Sequence, residues 1–152
     1  MTHLFAEEVH RAYWAGLFDG EGSIGPFVQV NGTVSIRVSV TQKNWPFLEG
    51  LRVEFGGGIS ENQNSKGTWC LNLGGIQSCK KFLLYVSPYL ILRKDEARWA
   101  LVYLDFQLQR KRGLPLSKEE EVTRILILNK LEEASELRKN GFTKKVEEAI
   151  AL

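Results

Sequence analysis

The sequence has few of the residues that mark secreted, membrane-bound or zinc-binding proteins. Only two of its 152 residues are cysteine and two are histidine, so neither a disulfide framework nor a zinc site of these residues is expected. No stretch approaches the roughly 18 consecutive apolar residues of a membrane span, and the first residues lack the apolar core of a signal peptide. We therefore expect a soluble intracellular protein in which Cys70 and Cys79 are both buried thiols.

An excess of charge of one sign is missing as well. Lys and Arg number 20 against 18 Asp and Glu, which gives a formal net charge of +2. Composition alone therefore does not identify a nucleic-acid-binding protein, and any attraction to phosphate must come from basic residues gathered on one face. The length predicts a single domain over 1–152, with a core over about 5–113 and a C-terminal helical extension over about 114–152.

The most informative stretch is WAGLFDGEG at residues 14–22, which ends an amphipathic helix and precedes a strand. Gly16 and Gly20 would let a second helix approach closely, although each costs about 1 kcal/mol relative to alanine. Two acids, Asp19 and Glu21, lie where the helix ends, and its dipole disfavours carboxylates there unless a cation compensates. Small or apolar residues recur on one face of this helix, namely Val9, Ala12, Tyr13, Gly16, Leu17 and Gly20.

The two acids allow two interpretations. In the simpler one, Asp19 is a local cap and Glu21 is a solvated surface acid. The whole nine-residue pattern, however, resembles the motif that names the LAGLIDADG homing endonucleases, with small central residues, an acid, a small residue, a second acid and a final glycine. The sequence departs from that motif at Trp14, which replaces the first leucine, and at Glu21, which replaces the second aspartate.

The resemblance implies that the motif helices of two protomers pack together and that their terminal acids hold a divalent metal ion, Mg²⁺ or Mn²⁺. It places Ala12, Tyr13, Gly16 and Gly20 in the dimer interface, and it places Glu21 and the Gly20 carbonyl at the metal. The chain has a single copy of the motif, so a two-fold homodimer is the simplest closed assembly.

After Gly22 the hydrophobic period changes to two. Segments 23–31 and 33–41 predict paired strands joined by a tight Asn31-Gly32 turn, and segments 58–61 and 67–73 predict a second pair. Together with a helix between the pairs, this order predicts an α+β fold. The resemblance makes it a LAGLIDADG-type domain, a curved four-stranded antiparallel sheet backed by helices, with a ββαββα core after the motif helix.

Helices are predicted in the rest of the chain. Asn44 can cap the helix between the strand pairs, and Ser117 with Glu120 has the spacing of a capping box. The first five residues are expected to form a short arm, and Asn140-Gly141 is expected to end one helix before a last one begins. The helices after the second strand pair are predicted at 76–85, 95–111, 117–140 and 143–151.

Polar residues alternate with apolar ones along the predicted strands and continue into their loops. A polar strand face is often only a solvated face, but amides, hydroxyls and an arginine also carry the donors and acceptors that read base edges. The resemblance favours DNA contact, because in that family a saddle-shaped sheet lies on DNA. The predicted DNA-binding residues are Phe27, Gln29, Asn31, Thr33, Ser35, Arg37, Ser39, Thr41, Ser60, Asn62, Lys66, Thr68 and Asn72.

Two further segments are similar to family segments near the scissile phosphate. In VTQK at 40–43 the similarity implies that Gln42 lies beside the metal site. In PYLILRK at 88–94 it implies that a basic side chain reaches the phosphate, and either Arg93 or Lys94 would fill that role. Basic residues at a helix start are otherwise mostly solvated, and spacing does not choose between these two.

The resemblance implies an intron-encoded, site-specific homing endonuclease. Such an enzyme makes double-strand breaks in a long near-palindromic DNA target by metal-dependent phosphodiester hydrolysis. Some proteins of this fold act instead as intron RNA maturases or bind DNA without cutting it, and a plain dimerising scaffold is a third interpretation. The retained acids favour the nuclease, whereas a scaffold would need neither Glu21 nor the polar rows.

Overall fold

A computed structural model describes the backbone of residues 2–110 and 113–151 and the side chains of residues 6–110 and 113–140. The four strands form one antiparallel sheet in the order β1-β2-β4-β3, which confirms the predicted α+β fold. None of the described helices is long and apolar enough to cross a membrane. The elements are α1 (Thr2–Glu21), β1 (Gly22–Val28), β2 (Val34–Gln42), α2 (Trp45–Phe55), β3 (Gly58–Glu61), β4 (Trp69–Leu73), α3 (Ile76–Val86), a 3-10 turn (Ser87–Tyr89), α4 (Lys94–Gln109) and α5 (Lys118–Ala151).

One face of the sheet is covered by helices and the other is open. On β2, Ile36, Val38 and Val40 are buried while Arg37 between them is exposed, because successive side chains of a strand point to opposite faces. Each fully buried side chain of this size stabilises the fold by about 1.5–3 kcal/mol. The core joins this face to all five helices, and its helical members include Trp14, Ala15, Phe18, Leu48, Leu51, Phe55, Phe82, Leu83, Ala97, Ala100, Tyr103, Leu104, Ile127 and Leu131.

The chain passes from α1 into β1 at Gly22, where a side chain has no room. A Cβ placed on Gly22 would lie 2.2 Å from Cδ2 of Phe18 and 2.5 Å from the Phe18 carbonyl oxygen. The absence of a side chain lets the strand start directly under the last turn of the helix. The end of α1 is thereby fixed against the sheet.

The hairpin between β1 and β2 differs from the prediction. A loop over 29–33 joins the strands, and its backbone bonds run from the Gln29 amide to the Thr33 carbonyl (2.8 Å) and from the Gly32 amide to the Gln29 carbonyl (2.9 Å). The Asn31 side-chain oxygen accepts from the Thr33 amide at 3.0 Å, and such local bonds compete with the strand ladder. Gln29, Asn31 and Thr33 therefore lie in a loop, and the two-residue turn was wrong.

Two predicted helix boundaries are wrong, and two predicted helix caps are confirmed. α1 begins at Thr2 where a short arm was predicted, and α5 runs without a break through Gly141. A helical glycine costs only about 1 kcal/mol relative to alanine, so a single one does not have to end a helix of this length. Asn44 caps α2 by accepting from the Phe47 amide. The predicted capping box opens α5, with the Glu120 amide donating to Ser117 Oγ (3.1 Å) and the Ser117 amide to Glu120 Oε1 (3.0 Å).

The two cysteines lie in opposite environments. Cys79 is buried between α3 and the sheet, and burial raises the pKa of its thiol to about 11 because the thiolate is poorly solvated there. Cys70 is half-buried on the open face of the sheet, in register with Thr41 and Ser60. The expectation of two buried thiols was therefore wrong for Cys70.

Candidate active site and nucleic-acid interface

The motif helix α1 has one side in the core and one side that the chain leaves uncovered. Trp14, Ala15 and Phe18 are buried, whereas Tyr13 is 58% exposed. A Cβ on Gly16 or on Gly20 would meet nothing within 4 Å, so packing within one chain gives no reason for either glycine. The residues predicted for the dimer interface, Ala12, Tyr13, Gly16 and Gly20, are all exposed.

Asp19 is held by the segment that leads into α4. Its Oδ2 accepts from the Ile91 amide at 2.8 Å, and its Oδ1 accepts from the Arg93 amide at 2.9 Å. Backbone amides at a helix start have no partner inside the helix, and a carboxylate satisfies them well. Asp19 therefore joins the end of α1 to the start of α4.

Glu21, the last residue of α1, is exposed. Within the described part of the chain it makes no ion pair and no side-chain hydrogen bond. Gly22 pairs with Val40, so Glu21 enters the sheet beside the end of β2, where Gln42 lies. Asp19 is therefore occupied by hydrogen bonds within the chain, whereas Glu21 has no such bond among the described residues.

The other three candidates lie at the ends of elements, Gln42 at the end of β2 and Arg93 and Lys94 at the start of α4. Gln42 ends β2, is half-buried, and its Oε1 accepts from the Lys43 amide at 3.1 Å. Arg93 is only 9% exposed, and its Nε donates to the Phe18 carbonyl at 3.2 Å. Lys94, the first residue of α4, is exposed. The structure thus joins Arg93 directly to the last turn of α1, and within the described residues neither Gln42 nor Lys94 makes a hydrogen bond or ion pair with Glu21.

Arg93 occupies an unusual electrostatic position. Burial lowers the pKa of its guanidinium, the charge of Arg138 lowers it further, and the carboxylates of Glu96 and Asp19 oppose both effects. Its Nη1 lies 3.6 Å from Glu96 Oε2. Because arginine stays protonated in proteins, this is a fixed positive charge directly beneath the end of the motif helix.

Within the described residues, no group of three or more His, Cys, Asp or Glu side chains could hold a metal ion. Glu21 is the free carboxylate at the motif, and the Gly20 carbonyl precedes it in sequence. Carboxylate and carbonyl oxygens are ligands that Mg²⁺ accepts, and it is usually bound through one or two carboxylates together with substrate phosphates and water. The donor set of one chain is therefore compatible with such an ion but incomplete by itself.

The open face of the sheet carries a row of predicted DNA-binding residues. Cross-strand register places Phe27 beside Ser35, Ser39 beside Asn72, and Thr41 in line with Ser60 through Cys70. Arg37 is exposed, with its guanidinium carbon 4.4 Å from the centre of the Phe27 ring. The members on this face are Phe27, Ser35, Arg37, Ser39, Thr41, Ser60 and Asn72.

Some of the predicted polar contacts are partly used inside the chain. Ser35 is 8% exposed because Gln29 reaches over it, with Gln29 Nε2 donating to Ser35 Oγ at 2.7 Å. Ser35 was predicted to contact DNA, and in this arrangement its hydroxyl is covered by the Gln29 side chain. In the loop before β4, Asn62 Oδ1 accepts from the Asn64 amide and Thr68 Oγ1 pairs with Ser65 Oγ.

Lys66 in the loop before β4 is exposed, and it makes no ion pair within the part of the chain that the structure describes. Its ammonium group is therefore available to an external anion. It is the predicted DNA-binding cation outside the sheet.

Sequence reasoning missed two side chains that hold the hairpin. Tyr103 Oη donates to the Val34 carbonyl at 2.6 Å, and Gln107 Nε2 donates to the same oxygen at 3.1 Å. Both come from α4, about 70 residues further along the chain, so no local pattern could have identified the contact. They tie the start of β2, and hence the polar hairpin, to the helical layer.

Comparison with known proteins places this geometry in a family. A family model described as a LAGLIDADG-like domain matches residues 8–87, more than half of the chain. The chain belongs to the LAGLIDADG-like family. The match covers α1 from residue 8 onward, the whole sheet, α2 and α3, and so includes the motif acids and the polar face. No curated protein matches the sequence.

Solved structures of homing endonucleases share the fold. I-CvuI in complex with its target in the presence of Ca is 19% identical, with a TM-score of 0.70 over 86% of this chain and 84% of that one. The archaeal intron-encoded enzyme I-Vdi141I, complexed with DNA, is also 19% identical, with a TM-score of 0.70 over 84% and 85%. I-TnaI is 20% identical, with a TM-score of 0.63 over 84% and 97%.

Proposed function

We propose that the chain is a homodimeric, site-specific homing endonuclease, encoded within an intron, that hydrolyses DNA phosphodiester bonds with the help of a divalent metal ion. The observation that carries the proposal is the contrast between Asp19 and Glu21. One motif acid is bonded to backbone amides, while the other is exposed at the negative end of a helix, where a bare carboxylate is unfavourable. A cation at Glu21 would stabilise that arrangement, and family membership supports the same function.

The uncovered side of α1 supports a dimer. Gly16 and Gly20 leave room for a second helix, and Ala12 and Tyr13 extend the same exposed side. A two-fold copy of this surface would pair the two motif helices and bring the two copies of Glu21 together. The metal site would then be completed between protomers.

The chemistry of the donors supports Mg²⁺ or Mn²⁺ as the cofactor. Glu21 would supply a carboxylate and Gly20 its carbonyl oxygen, with DNA phosphate as a further ligand. Structures of I-CvuI have been obtained in the presence of Ca and of Mg. When bound, the ion would stabilise negative charge on the phosphate and lower the pKa of water.

The residues around the last turn of α1 would position the reactants. In the hydrolysis, a water molecule would lose a proton to solvent as its oxygen bonds to phosphorus. The bond from phosphorus to the 3′-oxygen would break, and that oxygen would take a proton from solvent, leaving a 5′-phosphate and a 3′-hydroxyl. Gln42 would orient that water through its amide group, which requires it to turn from the Lys43 amide. Lys94 is free to contact the phosphate, and Arg93 would contribute a fixed positive charge.

The open sheet face would read the target. β2 has nine residues, which at about 3.3 Å each extend roughly 30 Å, or about nine base pairs at 3.4 Å per step. A dimer would therefore recognise about 18–20 nearly palindromic base pairs. The loops over 29–33 and 62–68 would touch the flanking bases.

The two motif acids provide the test. A randomised duplex library incubated with the protein and magnesium, followed by sequencing of the ends, would identify the target. On that duplex, Glu21→Gln should still bind, because affinity depends on the sheet, while cleavage falls by orders of magnitude. Asp19→Asn is the control. An asparagine cannot accept from both the Ile91 and the Arg93 amides, so this variant should lose about 1–3 kcal/mol of thermal stability and should not show the selective loss of cleavage.

Two outcomes would contradict the proposal. If Glu21→Gln cuts at the wild-type rate, the metal site lies elsewhere. If the wild-type protein binds DNA tightly but never cuts in magnesium or manganese, a non-cutting DNA-binding protein becomes the better interpretation, and specific binding to intron RNA would point to a maturase.

A further inference from the structure

Glu96 is a buried acid that connects the end of the motif helix to α5. It lies in the first turn of α4 and is 1% exposed. Arg138 of α5 donates from Nε to its Oε1, and Arg93 Nη1 lies 3.6 Å from its Oε2. A carboxylate at this depth is stable only when it is paired. Two arginines from different parts of the chain therefore share one acid.

The two arginines are bound to Glu96 unequally. Arg138 makes a direct hydrogen bond to Oε1, whereas Oε2 lacks a hydrogen-bond partner within the described residues. The 3.6 Å separation to Arg93 is an ion-pair distance and too long for a hydrogen bond. Glu96 thus attracts the Arg93 guanidinium by charge, and the Nη groups of Arg93 make no hydrogen bond to Glu96.

Arg93 is fixed at its other end by α1. Its Nε donates to the Phe18 carbonyl, its backbone amide donates to Asp19, and its guanidinium carbon lies 6.0 Å from the centre of the Phe18 ring. Phe18 and Asp19 belong to the last turn of the helix that ends in Glu21. The guanidinium is therefore held between the last turn of the motif helix and the ion pair of Glu96 and Arg138.

We propose that Glu96 and Arg138 are positioning residues for the active centre, because they hold the Arg93 guanidinium, and with it a fixed positive charge, under the last turn of the motif helix. This inference rests on the proposed function of the motif site. It makes α5, which lies beyond residues 8–87 of the family match, part of the catalytic apparatus in addition to packing against the core.

The test compares variants that break, weaken or remove the ion pair between Glu96 and Arg138. Arg138→Ala removes the partner of Glu96, and Arg138→Lys keeps the charge with a single donor group. Lys139→Ala is the matched control, since it removes the same charge from the neighbouring exposed position. The double variant Glu96→Met/Arg138→Met removes the buried pair without leaving an unpaired acid, a change that folds often tolerate.

Single-turnover cleavage and DNA affinity are measured for each variant, with thermal unfolding to establish that it is folded. We expect Arg138→Ala and the double variant to cut about 10–100-fold more slowly, as losses of outer supporting contacts often do, with little change in Kd. Arg138→Lys should recover part of the rate, and Lys139→Ala should cut like the wild type. If the folded double variant cuts at the wild-type rate, the proposal is wrong.

A second readout does not depend on nuclease activity. The Nε–H resonance of Arg93 in a ¹⁵N-correlated NMR spectrum should be distinct and protected from exchange in the wild type and in Lys139→Ala. It should move or broaden in the double variant. An unchanged resonance there would overturn the positioning role even if the wild-type protein cuts DNA. A wild-type protein that never cuts would contradict the proposed function while this signal still reports on Arg93.

Discussion

The two sides of α1 are built from the same nine-residue motif but differ in what covers them. On one side Trp14 and Phe18 are buried against the sheet and the other helices. On the other, Tyr13 is exposed and Gly16 faces open space. The first side is explained by the stability of one chain. Packing within one chain does not explain the second side, and we propose that a second protomer covers it.

The strongest test of this contrast is to truncate one aromatic side chain on each side. Phe18→Ala should lower the free energy of unfolding by about 3–5 kcal/mol, because it leaves a cavity in the core. Tyr13→Ala should change it by no more than about 0.5 kcal/mol, since the ring is mainly in solvent. Urea unfolding would be measured at a concentration where sedimentation finds only monomers. Equal losses would mean that the two sides do not differ as described.

The uncovered side of α1 can be tested separately by placing a large side chain on it. Gly16→Leu should separate the motif helices and weaken the dimer by about 1–3 kcal/mol or more, measured by sedimentation. Gly50→Leu is the matched control, because Gly50 is also an exposed helical glycine with nothing within 4 Å of its Cβ. A Gly16→Leu protein that remains dimeric and active would show that the helices do not pair there.

The sheet repeats the contrast, with one covered and one open face. Arg37→Ala on the open face should reduce discrimination by about 1–3 kcal/mol at one symmetric pair of target positions, as expected for an arginine that contacts guanine. Binding to libraries with single substitutions would measure this. A uniform loss across all sequences would instead identify a phosphate contact.

The elements that the sequence predicted well are those governed by neighbouring residues. The Asn44 cap, the capping box of Ser117 and Glu120, and the apolar face of β2 all follow from interactions within a few positions. The tight turn at Asn31-Gly32 did not form, since the Asn31 side chain bonds to the Thr33 amide inside a longer loop. The contact that holds the start of β2, from Tyr103 of α4 to the Val34 carbonyl, joins distant elements and has no local signal.

The candidate site shows the same division. The motif and its two acids are visible in the sequence, and so are Gln42 and the basic pair at 93–94. The hydrogen bonds that hold Asp19 are not, because its partners are backbone amides 72 and 74 positions away. The Glu96 pair with Arg138 spans 42 positions, and no periodicity of helix or strand links residues at that separation.

By itself the sequence determined the four strands and the first four helices in their order, the buried face of β2 and the family motif, because these depend on short-range periodicity and local hydrogen bonding. Only the tertiary structure decided which motif acid stays free, which arginine is buried and which side of α1 remains open. Those outcomes depend on which distant groups are close enough to pair, and the desolvation of charge in the interior then makes each pairing obligatory.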